Sequence, residues 1–278
     1  FYLSFLIYPL FTLLKQAIMT DDGHLTVEFF QKILDKPVYG KSVIHSLLIS
    51  ATVTLASVLI ATPMAYIMST VRIRFSGALR ILILVSSMSA PFIGAYAWIM
   101  LFGRSGVFTS LLASVGINIG DIYGFKGCVI VMSFQLYSLV FMFISGAFKN
   151  MDNSLIEASE SLGCTGLKKV FKVVLPLMLP TLLAGALLVF MRAFADYGTP
   201  RLIGENYTTL PVLVYDEFFS EIGGSDAMAA AISIVAILIT TAVFLLQKYI
   251  ANRKVFSMSA LHPVEAKKLH GVKNVLAH

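Results

Sequence analysis

Few side chains of this sequence are placed to do chemistry. His24, His45, His262, His270 and His278 are scattered without the spacing of metal ligands. Cys128 falls in an apolar run and Cys164 in a polar one, so neither a disulfide nor a metal site is expected. Gly40-Lys41-Ser42 matches the end of a phosphate-binding loop, but Asp35 stands where that loop needs its first Gly, and Pro37 follows. The chain is therefore not expected to hydrolyse ATP, and no catalytic residue, metal ligand or bound cofactor is assigned to it. Asn206-Tyr207-Thr208 matches a glycosylation acceptor, a triplet common by chance.

Arg192 and Asp196 are of another kind. They stand four residues apart near the end of an apolar run, so on a helix they share a face and can pair. Charges within a membrane span are costly and face a cavity or another helix. Two readings stay open: Arg192, Asp196 and Tyr197 line the outer part of a translocation pathway, or the two charges form an ion pair that locks helices together.

These residues depend on the polar stretch just before them. Asp152 reads as a helix N-cap, and Ser154 followed by Glu157 is a capping-box pattern. A short helix is predicted from about Asn153 to Gly163, with Gly163 in the left-handed conformation that favours glycine just past a helix end. Thr165 can cap a second helix over Gly166–Leu175 carrying Lys168, Lys169 and Lys172, and Pro176 and Pro180 then open the next apolar run. A helix, a tight turn and a second helix entering a membrane span can act as a lever. The same pattern also suits a solvated linker, and local chemistry leaves both open.

Glu157-Ala158-Ser159, Gly163, Val173 and Leu175-Pro176 resemble the cytoplasmic loop signature of ABC-importer permeases. That signature reads Glu-Ala-Ala, three residues, Gly, nine residues, Ile, any residue, Leu-Pro. The departures are Ser159 for the second Ala and Val173 for the Ile, both conservative in size. The resemblance implies that the short helix, with Leu162 at its end, sits in a groove of a separate ATP-hydrolysing subunit.

Composition defines the class independently. Hydrophobic residues make up 58% of the 278 and charged residues 13%, with mean hydropathy +0.84, too apolar for a water-soluble domain of this length. A bilayer core requires about 20 apolar residues per helix. Spans are expected near 1–19, 43–70, 79–102, 125–148, 176–197 and 227–250. The expected fold is thus an all-α membrane protein, a six-transmembrane-helix bundle with a cytoplasmic helix-turn-helix coupling loop at 149–176. The permease domain covers 1–250, and 251–278 is a basic tail or linker. Pro63 and Pro91, with Gly94, are expected to bend the second and third spans. Tyr96, Trp98 and Phe102 read as interfacial anchors.

Orientation follows from Lys and Arg in short loops. Arg72, Arg74, Arg80, Lys149, Lys168, Lys169, Lys172, Lys248, Arg253, Lys254, Lys267, Lys268 and Lys273 fall on one side; Lys32, Lys36, Lys41, Arg104, Lys126 and Arg201 fall on the other. The richer side should be cytoplasmic, which puts the Glu157 loop and both ends of this segment inside. Most acidic residues fall outside, so the net charge of +6 reflects membrane orientation and points to no nucleic-acid partner. An acidic outer face suits a cationic solute or a basic contact on a delivery protein, and topological bias explains it as well.

The segment Phe194-Ala195-Asp196-Tyr197-Gly198-Thr199-Pro200, with Leu202-Ile203-Gly204 and Leu210-Pro211, looks like permeases of the ferric-iron import branch. That branch is similar to those for polyamines, thiamine, sulfate and 2-aminoethylphosphonate. In it, two six-span halves are commonly fused, which suits a chain with no initiating Met and Phe1 already in an apolar run. The resemblance implies a bacterial inner-membrane location, two ATP-binding cassette subunits carrying ATP and Mg, a second permease half or subunit, and an extracytoplasmic binding protein. The competing classes are an ion-gradient-driven transporter or channel and a membrane scaffold. The former calls for ionisable groups near mid-membrane, whereas Lys15, Arg192 and Asp196 all lie towards span ends.

Overall fold

The structure is a computed structural model that describes residues 5, 7–19, 24–71, 74–88, 91–116, 122–149, 151–219 and 225–252. The regular elements among these residues are helices, and Met19 and Leu25 form an isolated antiparallel bridge. The helices are α1 (Tyr8–Ile18), α2 (Glu28–Asp35), α3 (Pro37–Thr70), α4 (Ser76–Ser87), α5 (Pro91–Phe102), α6 (Val107–Ser114) and α7 (Phe125–Lys149). They continue with α8 (Asn153–Ser161), α9 (Gly166–Lys169), α10 (Leu175–Phe194), α11 (Gly198–Ile203), α12 (Leu210–Phe219) and α13 (Asp226–Asn252).

Five helical stretches among the described residues are long and apolar enough to cross a bilayer: Pro37–Thr70, Phe92–Ser114, Phe125–Lys149, Gly166–Phe194 and Asp226–Ala251. Four coincide with expected spans. The first expected span lies partly outside the described residues; α1 accounts for 11 residues of it. The tail at 253–278 lies wholly outside them.

The third expected span is corrected. The apolar run near 79–102 is divided between α4 and α5, and Pro91 starts a helix where a bend was expected. Proline suits a first helical turn, because its missing N–H has no partner there to lose. The spanning stretch instead continues through Gly103–Gly106 into α6. A Cβ on Gly103 would lie 2.4 Å from the Ile99 carbonyl oxygen, so only glycine fits this break. Trp98, Phe102 and Phe108 stack in series across it, with centroids 5.3 Å apart at each step. Pro63, by contrast, sits inside the continuous 34-residue α3.

Chain contacts group into two compact units. The first comprises Phe1–Ala51, Pro91–Val131 and Phe194–Leu245; the second comprises Thr52–Ala90, Met132–Ala193 and Leu246–His278. In the first, α11 packs on α5, and Ile49, Ile203, Leu210 and Ile232 are buried. Its loop at 204–210 is fastened to α3. The His45 ring stacks on Tyr207 at 3.9 Å, and the buried Leu210 N–H donates to Ser46 Oγ at 2.7 Å. In the second unit, Ile83, Met132, Ile144 and Met151 are buried. Arg80 Nη2 there donates to the Met68 carbonyl in the last turn of α3, where a cation meets the negative end of the helix dipole.

Candidate functional site

The polar hairpin is built from local chemistry. Asp152 caps α8, its Oδ1 accepting the Ser154 N–H at 3.0 Å. The capping-box reading of Ser154 and Glu157 is corrected, because Ser154 already lies inside the helix and its N–H is taken by Asp152. At the other end, the N–H groups of Gly163 and Cys164 donate to the carbonyls of Glu160 and Ser159, both at 2.9 Å. This paired pattern is a Schellman turn, and it needs a left-handed residue where Gly163 has φ +78°.

Side chains then divide by face. Ile156 and Ser159 are buried, and Ser159 Oγ donates back to the Ile156 carbonyl at 2.8 Å. A buried hydroxyl at an alanine-sized position is thus satisfied by the main chain. Glu157, Ala158 and Leu162 are exposed. Leu162, Leu167 and Phe171 are 87%, 76% and 67% exposed, an apolar surface around a polar turn. Between the two arms, Lys169 Nζ lies 2.6 Å from Glu160 Oε1.

The second arm runs on further than expected. The helix predicted to stop at Leu175 instead passes from α9 through a π-helical turn, Val170–Val174, straight into α10. The Leu175 N–H donates to Val170 O, five residues back. Pro176 follows at once; it cannot donate to Lys172 O, and its ring would crowd that carbonyl in a regular helix. The wider turn relieves this conflict and leaves the hairpin continuous with the apolar helix. Val170, Val174 and Leu175, with Tyr66, Phe148 and Met178, line an apolar cavity of about 20 Å³ behind the turn.

At the far end of α10 the sequence reading is corrected again. The helix stops at Phe194, so the four-residue spacing of Arg192 and Asp196 no longer defines one face. Asp196 Oδ1 accepts the N–H groups of Gly198 and Thr199 at 2.9 and 3.4 Å, at the start of α11. Burial pushes the Asp196 carboxyl above the usual carboxylate range, while its Thr199 and Gly198 hydrogen bonds pull the other way. Arg192 is exposed and in no ion pair among the described residues. The ion-pair reading of the two charges is therefore withdrawn. Tyr197 stands in an aromatic row, 5.9 Å from Phe92 and 4.7 Å from Tyr215. Around that row Arg201 pairs with Asp216 at 3.1 Å, and the Tyr39 hydroxyl donates to Glu217 at 2.7 Å.

Gly40-Lys41-Ser42 lies within α3, with Ser42 buried and bonded to the Val38 carbonyl, so no phosphate loop forms there. No cluster of three metal-ligating side chains occurs among the described residues.

Residues 57–255 match the family described as the inner membrane component of binding-protein-dependent transport systems. The chain belongs to this family. The matched region includes the whole hairpin together with Arg192, Asp196 and Tyr197 of the permease.

Among its relatives, the spermidine/putrescine transport permease PotB of Haemophilus influenzae is 28% identical over 209 residues, 72% of this chain and 73% of the relative. The ferric transport permease FbpB of Actinobacillus pleuropneumoniae is 25% identical over 263 residues. That match covers 92% of this chain but 37% of the relative, so the permease spans about a third of FbpB. The molybdenum transport permease ModB of Mycobacterium bovis is 27% identical over 220 residues, 77% and 82% of the two chains. Among solved structures, a bacterial ABC transporter that imports alginate superposes with TM-score 0.73 at 14% identity, covering 91% of each chain. The methionine transporter MetNI gives 0.63 at 13% identity, over 84% of this chain and 100% of the other. At such identities the likeness concerns the fold.

Sequence reasoning missed the His45–Tyr207 lock and the Ser46–Leu210 bond. Each joins residues more than 160 positions apart, and no local signal announces either.

Proposed function

We propose that this permease moves a solute, delivered by an extracytoplasmic binding protein, by alternating access powered by two separate ATPase subunits that carry the ATP and Mg. The observation that supports it best is the continuity of the capped hairpin with α10. Closure of the ATPases on α8 shifts the hairpin, and a continuous helix transmits the shift to the bundle. A ligand moves such an equilibrium only by favouring one state. Glu157, Ala158, Leu162 and Gly163 form the docking side, the buried Ser159 backs it through its bond to the Ile156 carbonyl, and Leu175 and Pro176 form the root.

Charge supports a cytoplasmic hairpin. The six Lys and Arg residues assigned outside all belong to the first compact unit. The described residues assigned inside, Arg74, Arg80, Lys149, Lys168, Lys169, Lys172 and Lys248, all belong to the second. The excess of Lys and Arg in the loops assigned to the hairpin's side supports a cytoplasmic hairpin.

Ferric iron is the solute proposed, on the Phe194–Pro200 segment and the extent of the match to FbpB. Arg192, Asp196 and Tyr197 line the outer pathway in this reading, and a second permease half or subunit completes it. Proteoliposomes holding the permease complex, its ATPase and its loaded binding protein test the proposal. ATP-dependent uptake of ferric iron, with none of spermidine, 2-aminoethylphosphonate or molybdate, is expected. Uptake of one of those three instead would replace the solute. Uptake driven by an ion gradient without ATP would overturn the mechanism.

A further inference from the structure

We infer that the ion pair between Glu160 and Lys169 is the clamp that makes the coupling hairpin one rigid body, so that both are positioning residues for energy transfer into α10. The inference rests on the proposed function and adds to it a pair of residues that no part of the loop signature contains.

Short helices do not hold a geometry by themselves. Isolated helices below about 12–15 residues are marginal in water. α8 has nine residues, whereas α9 is the first turn of a helical stretch that continues through Val170–Val174 into α10. The Schellman bonds fasten the end of α8 to its own turn and leave the angle to α9 open. α8 packs on α9 and on the π-helical turn, and across that packing Lys169 Nζ meets Glu160 Oε1 at 2.6 Å.

Three features mark the pair as more than a surface contact. The side chains are only 15% and 31% exposed, so the pair is less screened than a typical surface bridge. Glu160 stands in the last turn of α8, where the helix dipole disfavours an anion, and a cation is needed to offset that. Lys169 is the last residue before the π-helical turn, so the clamp grips the point at which the hairpin becomes α10. With the clamp closed, a push on α8 arrives at Val170–Val174. With it open, the push is absorbed by the turn at Gly163.

The test uses the assembled complex with its ATPase and loaded binding protein, reading solute moved per ATP and the stimulated-to-unstimulated ATPase ratio. Lys169→Met and Glu160→Gln keep side-chain bulk and remove the pair; each should lower both quantities about five-fold. The double exchange Glu160→Lys with Lys169→Glu should restore both to near the unmutated level. Single variants that couple fully overturn the clamp. So do single variants that fail while the exchange also fails, because the two side chains then act on something other than each other. If a single variant does not assemble, the exchange alone decides in the same way. Failure of the underlying function is distinguishable, because the unmutated complex would then lack stimulation by the loaded binding protein.

Discussion

The amide of Cys164 lies 2.9 Å from the carbonyl of Ser159, closing α8 across a glycine with φ +78°. This bond and its neighbour from Gly163 to Glu160 set the direction in which the chain leaves the docking helix.

Gly163 is the first place to test that direction. Gly163→Ala retains the donor but must adopt a left-handed backbone, at about 1–2 kcal/mol. Gly163→Pro removes the donor as well and cannot reach a positive φ. Stimulated ATPase and uptake should fall moderately for Ala and almost completely for Pro, with the complex purified and its subunits counted. Full coupling in Gly163→Pro would remove the hairpin from the mechanism. Glu157→Lys, which reverses an exposed charge on α8, should lower stimulation with the complex still assembled.

Asp196 separates capping from transport. Asp196→Asn keeps an oxygen for the Gly198 and Thr199 amides, whereas Asp196→Ala loses both bonds and should cost about 1 kcal/mol. Burial raises the carboxyl's folded pKa above the usual value of about 3.9. The folded state thus holds the proton more tightly, and that stability is full below the usual value and lost as pH rises through the folded one. The melting temperature of Asp196→Asn in detergent should therefore gain on the unmutated protein as pH rises across that window. A gap that is constant with pH would contradict this. Uptake by Asp196→Asn should fall, and unchanged uptake would take Asp196 out of the pathway.

Arg192 makes no ion pair among the described residues, so Arg192→Gln should leave thermal stability within about 0.5 kcal/mol. If it lines the pathway, uptake falls nonetheless. Equal uptake and equal stability would assign it to the lipid headgroup boundary.

Ser46 holds the 204–210 loop through the Leu210 amide at 2.7 Å, with both partners at most 1% exposed. Ser46→Ala leaves a buried N–H unsatisfied and should cost about 1–3 kcal/mol. Hydrogen exchange at Leu210 should rise with it, and unchanged protection would show that the loop is held elsewhere.

The hairpin was legible in the sequence because its determinants are local. Asp152 can cap only the helix beginning beside it, and Gly163 takes the positive φ that its turn requires; Thr165 stands before α9 as expected, but its side chain makes no capping bond there. The apolar runs were legible for the same reason, since a bilayer demands length and composition and little else. The end of α10 was not. Arg192 and Asp196 carry helical spacing, yet α10 ends at Phe194 and Asp196 binds the amides that start α11, which packs on α5. The passage from α5 into α6 likewise depends on Gly103 and on the aromatic stacking across it.

Class, family signature and the expected sidedness of charge thus follow from composition, spacing and short-range capping, whose energies involve neighbours in the chain. Where α10 stops, where the third span breaks, and which side chains clamp or lock the loops were decided only by tertiary structure. Glu160 finds Lys169 and His45 finds Tyr207 through contacts that exist only once the helices have packed.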